Sequence, residues 1–120
     1  MKDKRKLLEV FDNSYPGRDY LIVHQANEFT SVCPKTGQPD FGHITISYVA
    51  NKKCIELKSL KMYLQSFRND GIFYENVINR ILDDLHYVLS PKWIEIKGIF
   101  TVRGGIFSSI IASEGTKPNL

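Results

Sequence analysis

The strongest constraint on the fold is a hydrophobic period that changes twice along the chain. From His43 to Val49 apolar and polar residues alternate, with Ile44, Ile46 and Tyr48 on one side and His43, Thr45 and Ser47 on the other. A period of two is that of a strand with one buried face. Asn51-Lys52-Lys53 reads as a turn and Cys54 to Glu56 as a short extended piece. The period then becomes three and four. Leu57, Leu60, Leu64 and Phe67 predict a helix from near Ser59 to Asn69-Asp70-Gly71. Ile78, Ile81, Leu82, Leu85, Val88 and Leu89 predict a second helix, which Ser90-Pro91 ends. From Trp93 to Val102 the period returns to two, with Ile94, Ile96, Phe100 and Val102 on one face. Arg103-Gly104-Gly105 interrupts it, and Ile106 to Ile111 reads as a last strand.

Upstream, the apolar run Tyr20 to His24 predicts a strand, and the turn-rich residues from Asn27 to Asp40 predict a loop. The order is therefore strand, strand, helix, helix, strand, strand. Strands grouped on both sides of a helix pair point to an α+β fold, an antiparallel sheet with both helices on one face.

A chain of 120 residues suits one domain with a modest core. Residues 1–17 read as an N-terminal tail and residues 18–120 as a single catalytic domain. The basic cluster Lys2, Lys4, Arg5 and Lys6 is expected to be a solvated face of that tail. A net charge of +3 suits an anionic cofactor and is too weak and too scattered for a nucleic-acid surface. No apolar run approaches the roughly 18 residues of a membrane span. The N-terminus lacks the pattern of a signal peptide, so the cytoplasm is the expected location. Cys33 and Cys54 are then expected to be free thiols. Neither cysteine lies in a CxxC or CxxH pair, and His24, His43 and His86 are scattered, which argues against a metal site.

The most chemical stretch is Phe29-Thr-Ser-Val-Cys-Pro-Lys-Thr-Gly-Gln-Pro-Asp-Phe41. A cysteine attacks as its thiolate, and its ordinary pKa of about 8.5 must be lowered by a neighbour. Lys35 stands two residues away, and turns at Gly37 and Pro39 bring Asp40 back toward Cys33. A thiol and a carboxyl facing one substrate serve as nucleophile and proton donor. Considered alone, a loop cysteine is more often a small buried hydrophobe, and Asp40 beside Pro39 more often a turn residue. The crowd of polar and turn residues makes this loop a poor place to bury a thiol. Cys54, in an apolar extended piece, reads as structural.

That segment resembles the catalytic loop of the 7-cyano-7-deazaguanine reductases, the nitrile reductases of queuosine biosynthesis. Glu56-Leu-Lys-Ser-Leu-Lys-Met-Tyr63 is similar to the family's signature motif, associated with NADPH binding. Ser66-Phe-Arg-Asn69 continues it, and Phe100-Thr-Val-Arg-Gly-Gly-Ile106 is similar to the family's C-terminal motif. The four blocks run in the family's order over Arg18 to Ile111. The resemblance implies a tunnelling fold, a four-stranded antiparallel sheet with two helices on one face. It also implies that subunits join into homo-oligomeric rings that pair.

The resemblance further implies that Cys33 adds to the nitrile carbon to give a thioimide and that Asp40 donates a proton to nitrogen. Two NADPH complete the reduction, since a nitrile becomes an amine with four electrons. By the same resemblance Ile55, Glu56, Leu57, Tyr74 and Glu75 contact the substrate. Lys58, Ser59, Lys61, Arg103 and Gly104 contact the cofactor. A carboxylate such as Glu75 matches a ring N–H and an exocyclic amine with two parallel hydrogen bonds. Without the resemblance, Glu75 reads as a solvated carboxylate in a helix's first turn, and Lys58 and Lys61 as a solvated helix face. Tyr74 departs from the family's usual histidine and cannot become a cation near neutral pH. Gly104-Gly105 is no Rossmann fingerprint. An amidinotransferase that adds ammonia to the same nitrile is the near alternative, against which the Glu56 to Tyr63 block and Arg103 argue; a metal-dependent cyclohydrolase on this fold is discounted, since His24 and His43 stand in no ligand spacing to Cys33. A non-catalytic purine-binding module is the alternative of a different class, though it has no need of both Cys33 and Asp40.

Overall fold

The protein is described here by a computed structural model covering residues 3–120; Lys2 lies outside the described residues. A 3₁₀ turn, Lys4–Leu7, precedes β1 (Val10–Asp12), β2 (Leu21–Val32), β3 (Pro39–Val49) and β4 (Lys53–Ile55). Two helices follow, α1 (Leu57–Gln65) and α2 (Tyr74–Leu89), and then β5 (Trp93–Arg103) and β6 (Ile106–Gly115). The main sheet is antiparallel with strand order β2-β3-β5-β6, and β1 pairs with β4 as a separate two-stranded piece.

The alternation read from the sequence decides which face the helices cover. Ile44, Ile46, Tyr48, Ile94 and Ile96 are wholly buried and join Leu60, Tyr63, Ile78, Ile81 and Leu85 in one core. Side chains of the opposite face, such as Leu21, Val23, His43 and Ile111, are exposed. Gly98 lets α2 come close, since a Cβ there would lie 2.6 Å from Ile78 Cδ1. The sheet with two helices on one face is therefore the architecture expected. The chain adds to it the small β1–β4 pair, which the sequence reading did not resolve.

Several boundaries moved, each for a local reason. The long loop expected from Asn27 to Asp40 is mostly strand. β2 runs through to Val32 by way of a bulge between Ala26 and Phe29, so only Cys33 to Gln38 remain as connection. α1 begins two residues before Ser59, because Glu56 caps it, its carboxylate accepting from the N–H groups of Lys58 and Ser59 at 2.8 Å each. Val102 was expected on the buried face. A second bulge, between Phe100 and Arg103, breaks the alternation and leaves it 58% exposed.

Within the basic N-terminal cluster Lys6 is exposed as expected, but Lys4 and Arg5 are not the solvated face expected of them. Lys4 is buried, with its Nζ 2.8 Å from both Ser66 O and Asp70 Oδ2 and above the ring of Phe67. Arg5 Nε lies 3.0 Å from Asp84 Oδ1, and Leu8 enters the core. The packed apolar stem and the two partners of the charged tip offset the cost of taking this lysine out of water. Among the described residues no helix is long and apolar enough to cross a membrane.

Candidate active site

Cys33 opens the tight connection between β2 and β3. Its N–H donates to Gln38 O at 2.8 Å, and its carbonyl accepts from Gly37 N at 2.8 Å. Gly37 takes a positive φ of 71°, which closes the turn and favours glycine there. The turn leaves the N–H groups of Lys35 and Thr36 directed back at the Cys33 side chain, an arrangement that stabilises an anion. The Cys33 thiol is accordingly held below its ordinary value. The Thr36 hydroxyl contributes most, then the backbone N–H groups of Thr36 and Lys35, while burial and the charge of Asp40 oppose them. Lys35, singled out in the sequence for its charge, acts here through its backbone.

The loop is anchored from behind. Val32 N donates to Asp70 O at 3.0 Å, and Ile72 N donates to Val32 O at 3.1 Å, so the link between the helices forms one parallel bridge with the end of β2. Asp70 is the residue that Lys4 pairs with. The N-terminal segment thus braces the support of the cysteine loop.

Asp40 is the second residue of β3 and is 6% exposed. Its carbonyl accepts from Thr30 Oγ1 at 2.8 Å. Its Oδ1 accepts from the Tyr74 hydroxyl at 3.1 Å and lies 3.0 Å from Arg103 Nη2. The same arginine donates to Pro39 O. The bulge that displaced Val102 is what turns Arg103 onto Asp40. Tyr74 is fixed by stacking on Phe100, ring centroids 3.9 Å apart and planes 6° from parallel. Phe100 in turn needs Gly42, where a Cβ would meet Phe100 Cδ1 at 2.8 Å. Across the strand pair from Asp40 sits Ser31, wholly buried, whose Oγ has no hydrogen-bond partner among the described residues.

Cys33, Asp40, Tyr74 and Arg103 therefore converge. Ile55, Glu56 and Leu57 do not join them. They line a separate cleft of about 580 Å³ with Tyr20, His24 and Tyr48. From His24 to Val32 the strand spans roughly 25 Å at its usual rise, which separates that cleft from Cys33 within one chain. Ile55 is buried, and its N–H donates to Tyr48 Oη at 3.0 Å. The Glu56 carboxyl is held below its usual range by the N–H groups of Lys58 and Ser59 that it caps. Leu57 is 58% exposed. Burial draws the pKa of His24, in this cleft, below its ordinary value.

Among the residues expected at the cofactor, Ser59 is buried and its hydroxyl is engaged with Glu9 N and Glu56 O, so it presents no donor outward. Lys58 and Lys61 are exposed on α1. Lys61 and Arg68 border a cleft along the bulge of β2 with Gln25 and Gln65. Glu75 is exposed in the first turn of α2. Gly104 and Gly105, both at positive φ, form the two-residue turn between Arg103 and Ile106, which explains the glycine pair without a ligand. No group of three His, Cys, Asp or Glu that would hold a metal ion occurs among the described residues.

Sequence reasoning assigned no role to Thr36 or Ser31, and it placed Phe100 on the buried face without its stack on Tyr74. The turn signal Pro34-Lys35-Thr36-Gly37 carried the first. The parts played by Ser31 and Phe100 depend on strand register, which the sequence does not mark.

Comparison with known proteins bears on this cluster. Residues 39–119 match the family model described as QueF-like protein. A protein of Chlorobium luteolum named NADPH-dependent 7-cyano-7-deazaguanine reductase is 60% identical over 110 residues, 92% of this chain and 95% of that protein. One of the same name from Rhodopirellula baltica is 57% identical over 109 residues, 91% of this chain and 90% of that protein. Among solved structures, the apo crystal structure of the archaeosine synthase QueF-Like superposes with a TM-score of 0.75 at 18% identity. The match spans 82% of this chain and 96% of that one. At that identity it supports the fold alone.

Proposed function

The chain belongs to the family of NADPH-dependent 7-cyano-7-deazaguanine reductases, and from that premise we propose that Cys33 is its nucleophile and Asp40 its proton donor. The enzyme is an oxidoreductase of queuosine biosynthesis, with 7-cyano-7-deazaguanine as its substrate and NADPH as its reductant. The observation that carries the residue assignment is the convergence of a thiol stabilised as thiolate with a buried carboxyl.

The Cys33 sulfur adds to the nitrile carbon, a C–S bond forms, and one C–N π bond opens. The proton that reaches nitrogen comes from Asp40, and the product of this step is a thioimide. The Thr36 hydroxyl and the turn N–H groups stabilise the attacking sulfur before substrate arrives. Tyr74, braced by Phe100, orients Asp40. The exposed cations Lys58, Lys61 and Arg103 fit an anionic, phosphate-bearing cofactor, whereas Ser59 does not, its hydroxyl being committed to the cap of α1. NADPH, when bound, supplies the two hydride equivalents that four-electron reduction requires.

Ile55, Glu56 and Leu57 serve the substrate from a second copy of the chain, since within one chain β2 keeps them apart from Cys33. Glu75 grips the guanine-like edge. The edge strands β2 and β6, 12 and 10 residues long, each leave outward-facing backbone groups without a strand partner. Leu21, Val23, Ile106, Phe107 and Ile111 are exposed and apolar on those strands. Long apolar edges favour strand pairing between copies, which supports a ring-shaped homo-oligomer, with rings pairing in turn. The enzyme works in the cytoplasm on this reading.

Turnover stoichiometry tests this reading. Purified protein given substrate and NADPH should consume two NADPH for each aminomethyl product, and Cys33→Ala should consume none. Product formed with added ammonia and no NADPH consumption would assign the amidinotransferase chemistry instead.

A further inference from the structure

The groove between β2 and α1 runs beyond the cleft that holds Ile55, Glu56 and Leu57. That cleft shares His24 and Leu57 with a small hollow of about 160 Å³. The hollow in turn shares Gln25, Ala26, Lys61 and Leu64 with the cleft of about 430 Å³ at the bulge of β2. The bulge leaves Asn27 and Glu28 without partners on β3 and so opens the far end of the groove. From Leu57 to Arg68 a helical rise spans roughly 16 Å. One extended dinucleotide laid along α1 reaches from one end to the other.

The far end of the groove is basic. Lys61, Gln65 and Arg68 recur at four and three residues, so they share one helix face. Arg68 N donates to Gln65 O at 3.1 Å, which carries that face one step beyond the end of α1. All three residues line the cleft and all three are exposed. Glu28 is the one carboxylate in that lining, against two cations. Arg68 also differs from the other arginines. Arg5, Arg80 and Arg103 face carboxylates, and Arg18 lies over the ring of Tyr15. No side chain or carbonyl among the described residues engages the Arg68 guanidinium.

We infer, resting on the function proposed above, that Arg68 takes the 2′-phosphate of the cofactor and so selects NADPH over NADH. The 2′-phosphate is the one group by which the two cofactors differ. A planar guanidinium meets a phosphate through two parallel N–H···O bonds, a match that the point charge of a lysine does not give. Lys58 and Lys61 stand nearer Leu57 and meet the bridging phosphates. The order of cations along α1 then follows the order of phosphates along the dinucleotide, with Leu57 at the substrate end.

NADP⁺ and NAD⁺ are the probes, since neither has a hydride to give. Their Kd values are measured by titration calorimetry on the wild type, Arg68→Met and Arg68→Lys. Arg68→Met should weaken NADP⁺ by about tenfold or more, as the loss of a charge-assisted pair does, and leave NAD⁺ where it is. Arg68→Lys should keep part of the preference. The ratio of KM values for NADPH and NADH in turnover should move in the same sense. Added salt should weaken NADP⁺ more in the wild type than in Arg68→Met. Gln65→Glu puts a negative charge on the same wall and leaves Arg68 in place. It should weaken NADP⁺ and spare NAD⁺, so the outcome does not depend on one variant folding. Variants that keep the wild-type ratio of the two Kd values overturn the inference, and so does an equal loss of both ligands. A wild type that forms no aminomethyl product from the nitrile and NADPH would instead overturn the proposed function itself.

Discussion

Tyr74 donates its hydroxyl to Asp40 Oδ1 at 3.1 Å while its ring lies flat on Phe100. One side chain thus links the face of the sheet to the acid of the site. The two halves of this contact separate by mutation. Tyr74→Phe keeps the stack and loses a hydrogen bond to a partly accessible phenol, a change of about 1 kcal/mol or less in urea unfolding. Adduct formation should slow, since Asp40 loses a donor that holds its carboxyl in place. Tyr74→Ala loses the stack as well, about another 1 kcal/mol beyond the area it uncovers, and should slow the reaction more than Tyr74→Phe does. Equal effects of the two variants on stability would show that the ring contact contributes nothing.

The thiolate of Cys33 is stabilised chiefly by Thr36. Thr36→Val removes the hydroxyl and keeps the shape. The pH profile of Cys33 alkylation by iodoacetamide should move to higher pH, with labelling near neutrality slowed several-fold and Cys54, which is buried, serving as an unreactive internal control. An unmoved profile would mean that the turn N–H groups suffice.

Residues 3–8 are part of the folded domain through Leu8, Lys4 and Arg5. Their removal uncovers part of the core and takes a cation from the buried Asp84, which also accepts from Tyr63 Oη at 2.5 Å. A loss of roughly 2–4 kcal/mol is expected, read as a lower thermal midpoint. Alkylation of Cys33 should also become less uniform, because Lys4 braces the Asp70 that supports the loop. A truncated protein with an unchanged midpoint would return these residues to the status of a tail.

Alkali should unfold the protein through its buried phenols. Burial pushes Tyr48 up to about 12 from its ordinary 10, and burial together with Asp84 raises Tyr63 as well. In the unfolded chain these groups ionise near pH 10, so the folded state binds more protons above that value and stability falls as pH rises. For Tyr48 the stability is fully present below pH 10 and is lost between about 10 and 12, a loss on the order of 2–3 kcal/mol. Tyr48→Phe should flatten that fall in a pH series of urea unfolding, and an equally steep fall would exclude Tyr48 as its source.

The sequence made the core legible because period fixes face. Ile44, Ile46 and Tyr48 were assigned to the buried side by alternation alone, and the helix stripes by spacing. The two bulges were not legible, since an extra residue in one strand leaves no compositional mark, and they decide where Val102 and Arg103 point. Cys33 and Asp40 were visible as a pair because turn residues separate them. The engagement of Arg103 with Asp40 was not, because it depends on the register of β5 against β3. Lys4 misled because a lysine near a chain end is ordinarily solvated, and its partners Ser66 and Asp70 are more than sixty residues away.

The central claim is that Cys33 forms a covalent bond to the nitrile carbon. Purified protein mixed with 7-cyano-7-deazaguanine in the absence of NADPH is read by intact mass. The account predicts one added substrate mass per chain with no loss of atoms, absent in Cys33→Ala and discharged when NADPH is supplied. A wild-type mass that stays unchanged at every pH where the thiolate is populated, in protein that turns over, would contradict it.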